Sequence, residues 1–360
     1  MSRRVYLHVG TPKSGTSYLQ DRLALNRAQL EAQGLEYLHT RTGDHFEAAL
    51  DVVGDRWAGA ERAARGQWDA LMLEARKTRR DLVISHEILA AAPPDRVRQA
   101  LSHFADDEVH IVVTARDLGR QIPAEWQERI KHRGGRTYAQ FIRALVRNQR
   151  SNDSQMWFWR VQDLPNILTT WGNGLTPDRL HLVTVPPSGA PSGTLWERFA
   201  GVLGLDRSVD YTDSTTMNVS IGGAEVTMLR RLNVELAERK LPRDVYIDWV
   251  RESVAREVLA DRPAARRATV PPKRRAWVEQ LTEDWLDWIN QLGVEVVGDL
   301  ADLRSVWPDD GDGWFDPDNP DPEEVAAAAI DALAHVLDGI ANGAAGTGPM
   351  VARFARRLRG

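Results

Sequence analysis

The chain has 360 residues, 42% hydrophobic and 27% charged, with a formal net charge of −5. Those proportions exclude a disordered, collagen-like or low-complexity chain, and the acidic balance argues against a duplex nucleic-acid binder, so an anion site must be a local cluster of positive charge. With no cysteine, disulfides, thiolate metal sites, iron–sulfur clusters and a cysteine nucleophile are excluded. No run approaches the roughly 20 apolar residues of a membrane helix. The first ten residues hold only a short apolar run followed by a polar turn, so a cytoplasmic protein without stable membrane insertion is expected.

Arg4 to Val9 is β-branched and aromatic and reads as a strand, followed by a turn at Gly10–Gly15. Leu19, Leu23 and Leu30 then carry a helix from Thr16 to near Gly34. Further strands are expected at Asp81–Ser85, Val109–Thr114 and Leu180–Val185, separated by helical patterns that include Leu118–Lys131. Strands alternating with helices indicate an α/β fold with a parallel sheet. After about residue 190 the chain reads as mainly helical, with candidates at Thr194–Leu203, Ala224–Arg239, Val245–Leu259 and Trp277–Leu292. The expected division is an α/β domain over 1–305, a solvated Asp/Pro/Gly linker over 306–324 and a helical tail over 325–360, with the helix at Val325–Gly339 and a basic end.

Gly10-Thr11-Pro12-Lys13-Ser14-Gly15-Thr16-Ser17 lies between a strand and a helix, the setting in which backbone N–H groups and a helix N-terminus cradle an anion. Gly10, Gly15 and Ser17 have the spacing of the nucleotide-triphosphatase loop, but Thr16 stands where its lysine should be and Lys13 lies inside the loop. A triphosphate would lose its main clamp; a shorter anionic chain would not need it. Lys13 supplies charge, Gly15 allows close backbone approach, and Ser14, Thr16 and Ser17 offer hydroxyls.

Thr11-Pro12-Lys13-Ser14-Gly15-Thr16-Ser17-Tyr18 resembles the 5′-phosphosulfate loop of sulfotransferases, enzymes that use 3′-phosphoadenosine 5′-phosphosulfate (PAPS) as co-substrate. The resemblance implies a P-loop NTPase-like parallel sheet flanked by helices, over about residues 4–205. It implies transfer of a sulfuryl group to a hydroxyl, less readily an amine, of a small molecule or carbohydrate, without a metal. Tyr18 becomes a candidate for the adenine. Arg116, after the third predicted strand, becomes a candidate for the 3′-phosphate, a role that suits a guanidinium. The family carries a serine eight residues further on, where this chain has Ala124; Arg120, Gln121, Asn218 or Ser220 could substitute. The alternatives are a kinase-like nucleotide enzyme and a non-catalytic relative that binds a nucleotide or a partner.

A base that removes the acceptor's proton would assist the transfer. His86 and Glu87 follow the second predicted strand, where the resemblance places a catalytic histidine or glutamate; His45 is a rival from the loop after the first helix. Trp126, Trp157, Trp159 and Trp171 read as packing residues.

Overall fold

A computed structural model describes residues 2–38, 45–57, 59–149, 156–215, 220–262, 266–309 and 313–345. The elements run β1 (Arg4–His8), α1 (Thr16–Leu25), α2 (Arg27–Ala32), β2 (Leu35–Tyr37), α3 (Phe46–Val53), α4 (Glu61–Ala64), α5 (Gln67–Ala75), β3 (Asp81–Ser85), α6 (Pro94–Leu101) and β4 (Glu108–Ala115). They continue with α7 (Leu118–Lys131), α8 (Tyr138–Asn148), α9 (Trp157–Gln162), α10 (Leu164–Gly172), β5 (Leu180–Thr184), α11 (Thr194–Val202) and α12 (Gly223–Glu238). A helical turn, α13 (Arg243–Val245), leads into a π-helix (Tyr246–Val258), and α14 (Pro272–Leu292), β6 (Glu295–Val297) and α15 (Pro322–Ala345) complete the chain.

The chain divides into two compact units. The first, Met1–Gln121, Asn148–Met217 and Arg275–Val306, holds the whole sheet. Its order is β2-β3-β1-β4-β5-β6, with every pair parallel. A parallel sheet is covered on both faces, which is why β1, β3, β4 and β5 read as near-continuous apolar runs; Val5, Leu7, Ile84, Ile111 and Leu182 are fully buried. From β1 the chain leaves toward β2, and from β4 it leaves toward β5. Their connections diverge, the point at whose carboxyl-end side open parallel sheets bind ligands.

On one face Leu19 and Leu23 of α1 join Leu30, Tyr6, Val83, Val112, Trp196 and Phe199 in a single core cluster. The helix expected to run to near Gly34 breaks at Asn26. Its amide donates to Arg22 O and to Thr212 O, both at 2.8 Å, the side-chain competition with backbone that ends helices at such residues. Trp159 and Trp171 are buried, as packing residues should be.

The second unit, Ile122–Arg147, Asn218–Arg274 and Trp307–Gly360, is helical. Trp126 is buried in it and packs at a tilt against Tyr138, with ring centroids 4.8 Å apart. Asn233 of α12 donates to Ile130 O at 2.7 Å and Gly134 O at 2.9 Å, and Tyr246 donates to Asn233 Oδ1 at 2.8 Å. The stretch read as a solvated linker is fastened here: Asp318 accepts from the N–H groups of Tyr138 (2.6 Å) and Ala139 (2.7 Å), capping α8. Val325, Ala328 and Ala332 of α15 are buried where the helix packs on α12 and the π-helix. α15 continues past the predicted end at Gly339, and the basic segment from 346 on lies outside the described residues. Among the described residues no helix is long and apolar enough to cross a membrane.

Candidate functional site

The turn after β1 is held by its carbonyls. Gly10 O accepts from the Thr114 N–H at 2.6 Å and its hydroxyl at 3.0 Å. The Thr11 N–H donates to Thr114 O at 2.8 Å, and Thr11 O accepts from Ser14 Oγ. Pro12 O accepts from the side-chain amides of Gln121 and Gln162, the latter at 3.0 Å. Lys13 O accepts from Arg116 Nη1 at 3.4 Å. In a trans peptide the carbonyl and the following N–H point oppositely, so the N–H groups of Lys13 and Ser14 face away from Gln121, Gln162 and Arg116. Next, α1 starts on Gly15, which provides no side-chain cap. The N–H groups of its first turn therefore lack intrahelical acceptors and sit at the positive end of the helix dipole.

Lys13 and Gly15 are both left-handed, at φ 62° and 85°. For lysine this costs about 1 kcal/mol or more and persists only where the surroundings over-determine it, as the ties to Pro12 O and Lys13 O do. A Cβ on Gly15 would lie 2.4 Å from Leu195 Cδ2, and one on Gly10 would lie 2.9 Å from Glu87 O. Gly10 thus lets the turn rest on the backbone of the segment that carries His86 and Glu87.

Beneath the turn runs a chain of buried polar groups. His8 Nδ1 is 2.8 Å from Ser85 Oγ, and Nε2 is 3.1 Å from Thr114 Oγ1. Thr114 Oγ1 donates to Gly10 O, so it accepts from His8 Nε2–H. His8 Nδ1 then accepts from Ser85 Oγ, which in turn lies 3.3 Å from the donor amide of Gln20. Both ring nitrogens of His8 are matched with the imidazole neutral, and burial pushes the His8 pKa down to about 4.

The carboxyl end of β3 carries the base candidates. His86 Nδ1 accepts from the Ile88 N–H at 3.3 Å, which fixes the proton of the neutral ring on Nε2. Glu87 Oε2 accepts from Gln20 Nε2 at 3.1 Å and lies 3.8 Å from His86 Nδ1. Burial works to raise the Glu87 pKa, but His86, Glu87's own N–H, Gln20 and Lys13 outweigh it and hold the carboxyl below its usual range. His45 is buried with Nδ1 accepting from the Ser85 N–H at 3.1 Å and Nε2 3.0 Å from Leu38 O. Both its nitrogens are engaged by backbone, an architectural role that leaves no lone pair for an acceptor's proton.

Arg116 follows β4 and borders a largely apolar cavity with Leu118, Leu164 and Trp285. Asp117 caps α7 and holds Arg120, which also reaches Pro186 O at 3.3 Å. Gln121 is engaged at Pro12 O. Ser14 turns its hydroxyl inward to Thr11 O and Thr114, Thr16 is buried and Ser17 is exposed. The Tyr18 hydroxyl accepts from Arg22 at 2.9 Å, and burial raises its pKa. Ser220 belongs to the second unit, as does Ala124, and donates to Gln127 Oε1 at 3.1 Å. Asn218 lies outside the described residues.

The first unit thus brings Lys13, Ser14, Gly15, Thr16, Ser17, Arg116, His86 and Glu87 to the carboxyl ends of three adjacent strands. His8, Gln20, Thr114 and Gln162 complete the arrangement and were absent from the sequence reading. A lone histidine in a strand or a glutamine on a helix carries no motif, and only the register across β3, β1 and β4 reveals them. Comparison with protein-family models, curated proteins and solved structures finds no match.

Proposed function

We propose that this chain is a sulfotransferase with a P-loop-like core, which moves a sulfuryl group from PAPS to a hydroxyl of a small-molecule or carbohydrate acceptor. The observation that carries the reading is the turn at Gly10–Gly15. Its carbonyls are bound to β4, α7, α9 and its own Ser14, and two of its N–H groups face the opposite way. Such preorganised donors with an adjacent lysine suit a phosphosulfate and the charge that grows on a departing phosphate. The N–H groups of Lys13 to Ser17, with the Lys13 ammonium, would hold the 5′-phosphosulfate; Arg116 would hold the 3′-phosphate and Tyr18 border the adenine. The order of the strands, with this turn at the point where their connections diverge, supports the same reading.

In the reaction an acceptor oxygen forms a bond to sulfur as the bond from sulfur to the 5′-phosphate oxygen breaks, and the acceptor's proton passes to the protein. Glu87, held as a carboxylate, takes that proton. His86, with its proton on Nε2, donates to the sulfuryl oxygens or the acceptor. Lys13 neutralises the leaving bisphosphate.

A transfer assay with labelled donor over a panel of hydroxyl acceptors tests the proposal. Lys13→Ala should reduce turnover by about 10²–10³-fold and Glu87→Gln by about 10²–10⁴-fold, both with unchanged circular dichroism. Turnover retained in Lys13→Ala would remove the turn from the mechanism.

A further inference from the structure

The second unit carries an apolar surface that its own packing does not use. Where the inner side of α15 buries Val325, Ala328 and Ala332, its outer side presents Ile330 at 66% exposure, Leu333 at 59%, Leu337 at 56% and Ile340 at 42%. Steps of three, four and three residues make this the a/d seam of a two-helix coiled coil. In the sequence Ala326 and Ala344 continue the same spacing at either end. The order Ile-Leu-Leu-Ile also reads identically in both directions. A second copy laid antiparallel across a two-fold axis sets Ile330 against Ile340 and Leu333 against Leu337, the self-complementarity that an isologous interface requires.

We propose that α15 is a homodimerisation helix, pairing antiparallel with the same helix of a second copy of this chain. The charge pattern of the helix itself favours that occupant. The positions flanking the seam are Ala329, Ala334, Val336 and Ala341, so two copies meet no like charges there. Asp331 lies off the seam, in an ion pair with Arg262. An anionic lipid surface would need a cationic rim on the helix, but Pro322–Ala345 contains no lysine or arginine and carries Glu323, Glu324, Asp331 and Asp338, the four arginines of 353–359 standing beyond it. Area agrees with self-pairing. The four side chains leave on the order of 400 Å² of apolar surface per chain, a patch of the size that marks an interaction site, and two such faces come to roughly 800 Å², the range of weak, transient association. The dimer should therefore be weak and concentration-dependent.

Sedimentation equilibrium on the full chain tests this. A concentration-dependent monomer–dimer equilibrium is expected for the wild type. Leu333→Asp/Leu337→Asp should weaken it by at least about tenfold with unchanged circular dichroism, because both side chains already stand mostly in water. A wild type that stays monomeric at high micromolar concentration, or a double variant that dimerises equally well, would overturn the proposal. The cysteine-free chain also lets single thiols report the geometry. Under mild oxidation, an equimolar mixture of L333C and L337C should cross-link as the heterodimer in preference to either variant alone. Preferential cross-linking of each variant with itself would contradict the antiparallel arrangement.

Discussion

One sheet holds two histidine clusters, and they are built to opposite rules. Under the turn, His8 sits between Ser85 and Thr114, and each ring nitrogen meets one hydroxyl while the ring is neutral. On β4 and β5, His110 and His181 stack 5.1 Å apart with Nδ1 of one 2.9 Å from Nε2 of the other. Glu108 closes one end at 3.0 Å and Glu295 the other at 2.7 Å. Three contacts there need three protons, and two neutral rings supply two. Burial lowers the His181 pKa against the opposing pull of Glu295, and His181 Nδ1, although close to Glu295, makes no aligned hydrogen bond. Hydroxyls, which donate and accept, suit both ring nitrogens of His8; carboxylates, which only accept, leave the second cluster one proton short. The ring with both nitrogens matched lies beneath the turn after β1.

Removing His8 should give the largest effect on stability. His8→Leu leaves Ser85 and Thr114 buried without their partner, and a loss of about 2–4 kcal/mol is expected in urea titration; an unchanged midpoint would break the contrast. The pH dependence of the wild type comes next. Because burial pushes the His8 pKa down to about 4, the unfolded chain binds the extra proton below about pH 6.5. The stabilisation is complete above that value and is lost as pH falls toward 4, up to about 3 kcal/mol. His8→Leu should flatten this acid limb, which melting temperatures across that range will report. The smallest effect belongs to the second cluster. Glu295→Gln places an amide donor opposite His181 Nδ1, and unchanged or higher stability, by up to about 1 kcal/mol at neutral pH, is expected. A clear loss would mean that the Glu295 contact is already well made.

Legibility from sequence followed burial and length. β1, β3, β4 and β5 stood out because both faces are covered and the runs are apolar. β2 and β6 are three residues each, with Glu36 and Glu295 inside them, too short for any periodicity. The helices over 46–75 and 138–172 lay between better signals and went unread. At the site, Lys13, Gly15, Arg116, His86 and Glu87 were visible because strand ends and glycine-bearing turns concentrate them. His8, Gln20 and Gln162 were not, since each acts through a partner 65 to 150 residues away. His45 was a plausible base in the sequence, and its backbone ties give it an architectural role instead.

The turn after β1 is proposed to present its donors to a sulfated or phosphorylated adenosine and not to a triphosphate. Calorimetric titration of the full chain with 3′-phosphoadenosine 5′-phosphate, without metal, tests it most directly. Saturable binding with one site per chain is predicted, abolished by Lys13→Ala and not matched by ATP with magnesium. No heat with the bisphosphate, or tighter binding of magnesium–ATP, would contradict the account.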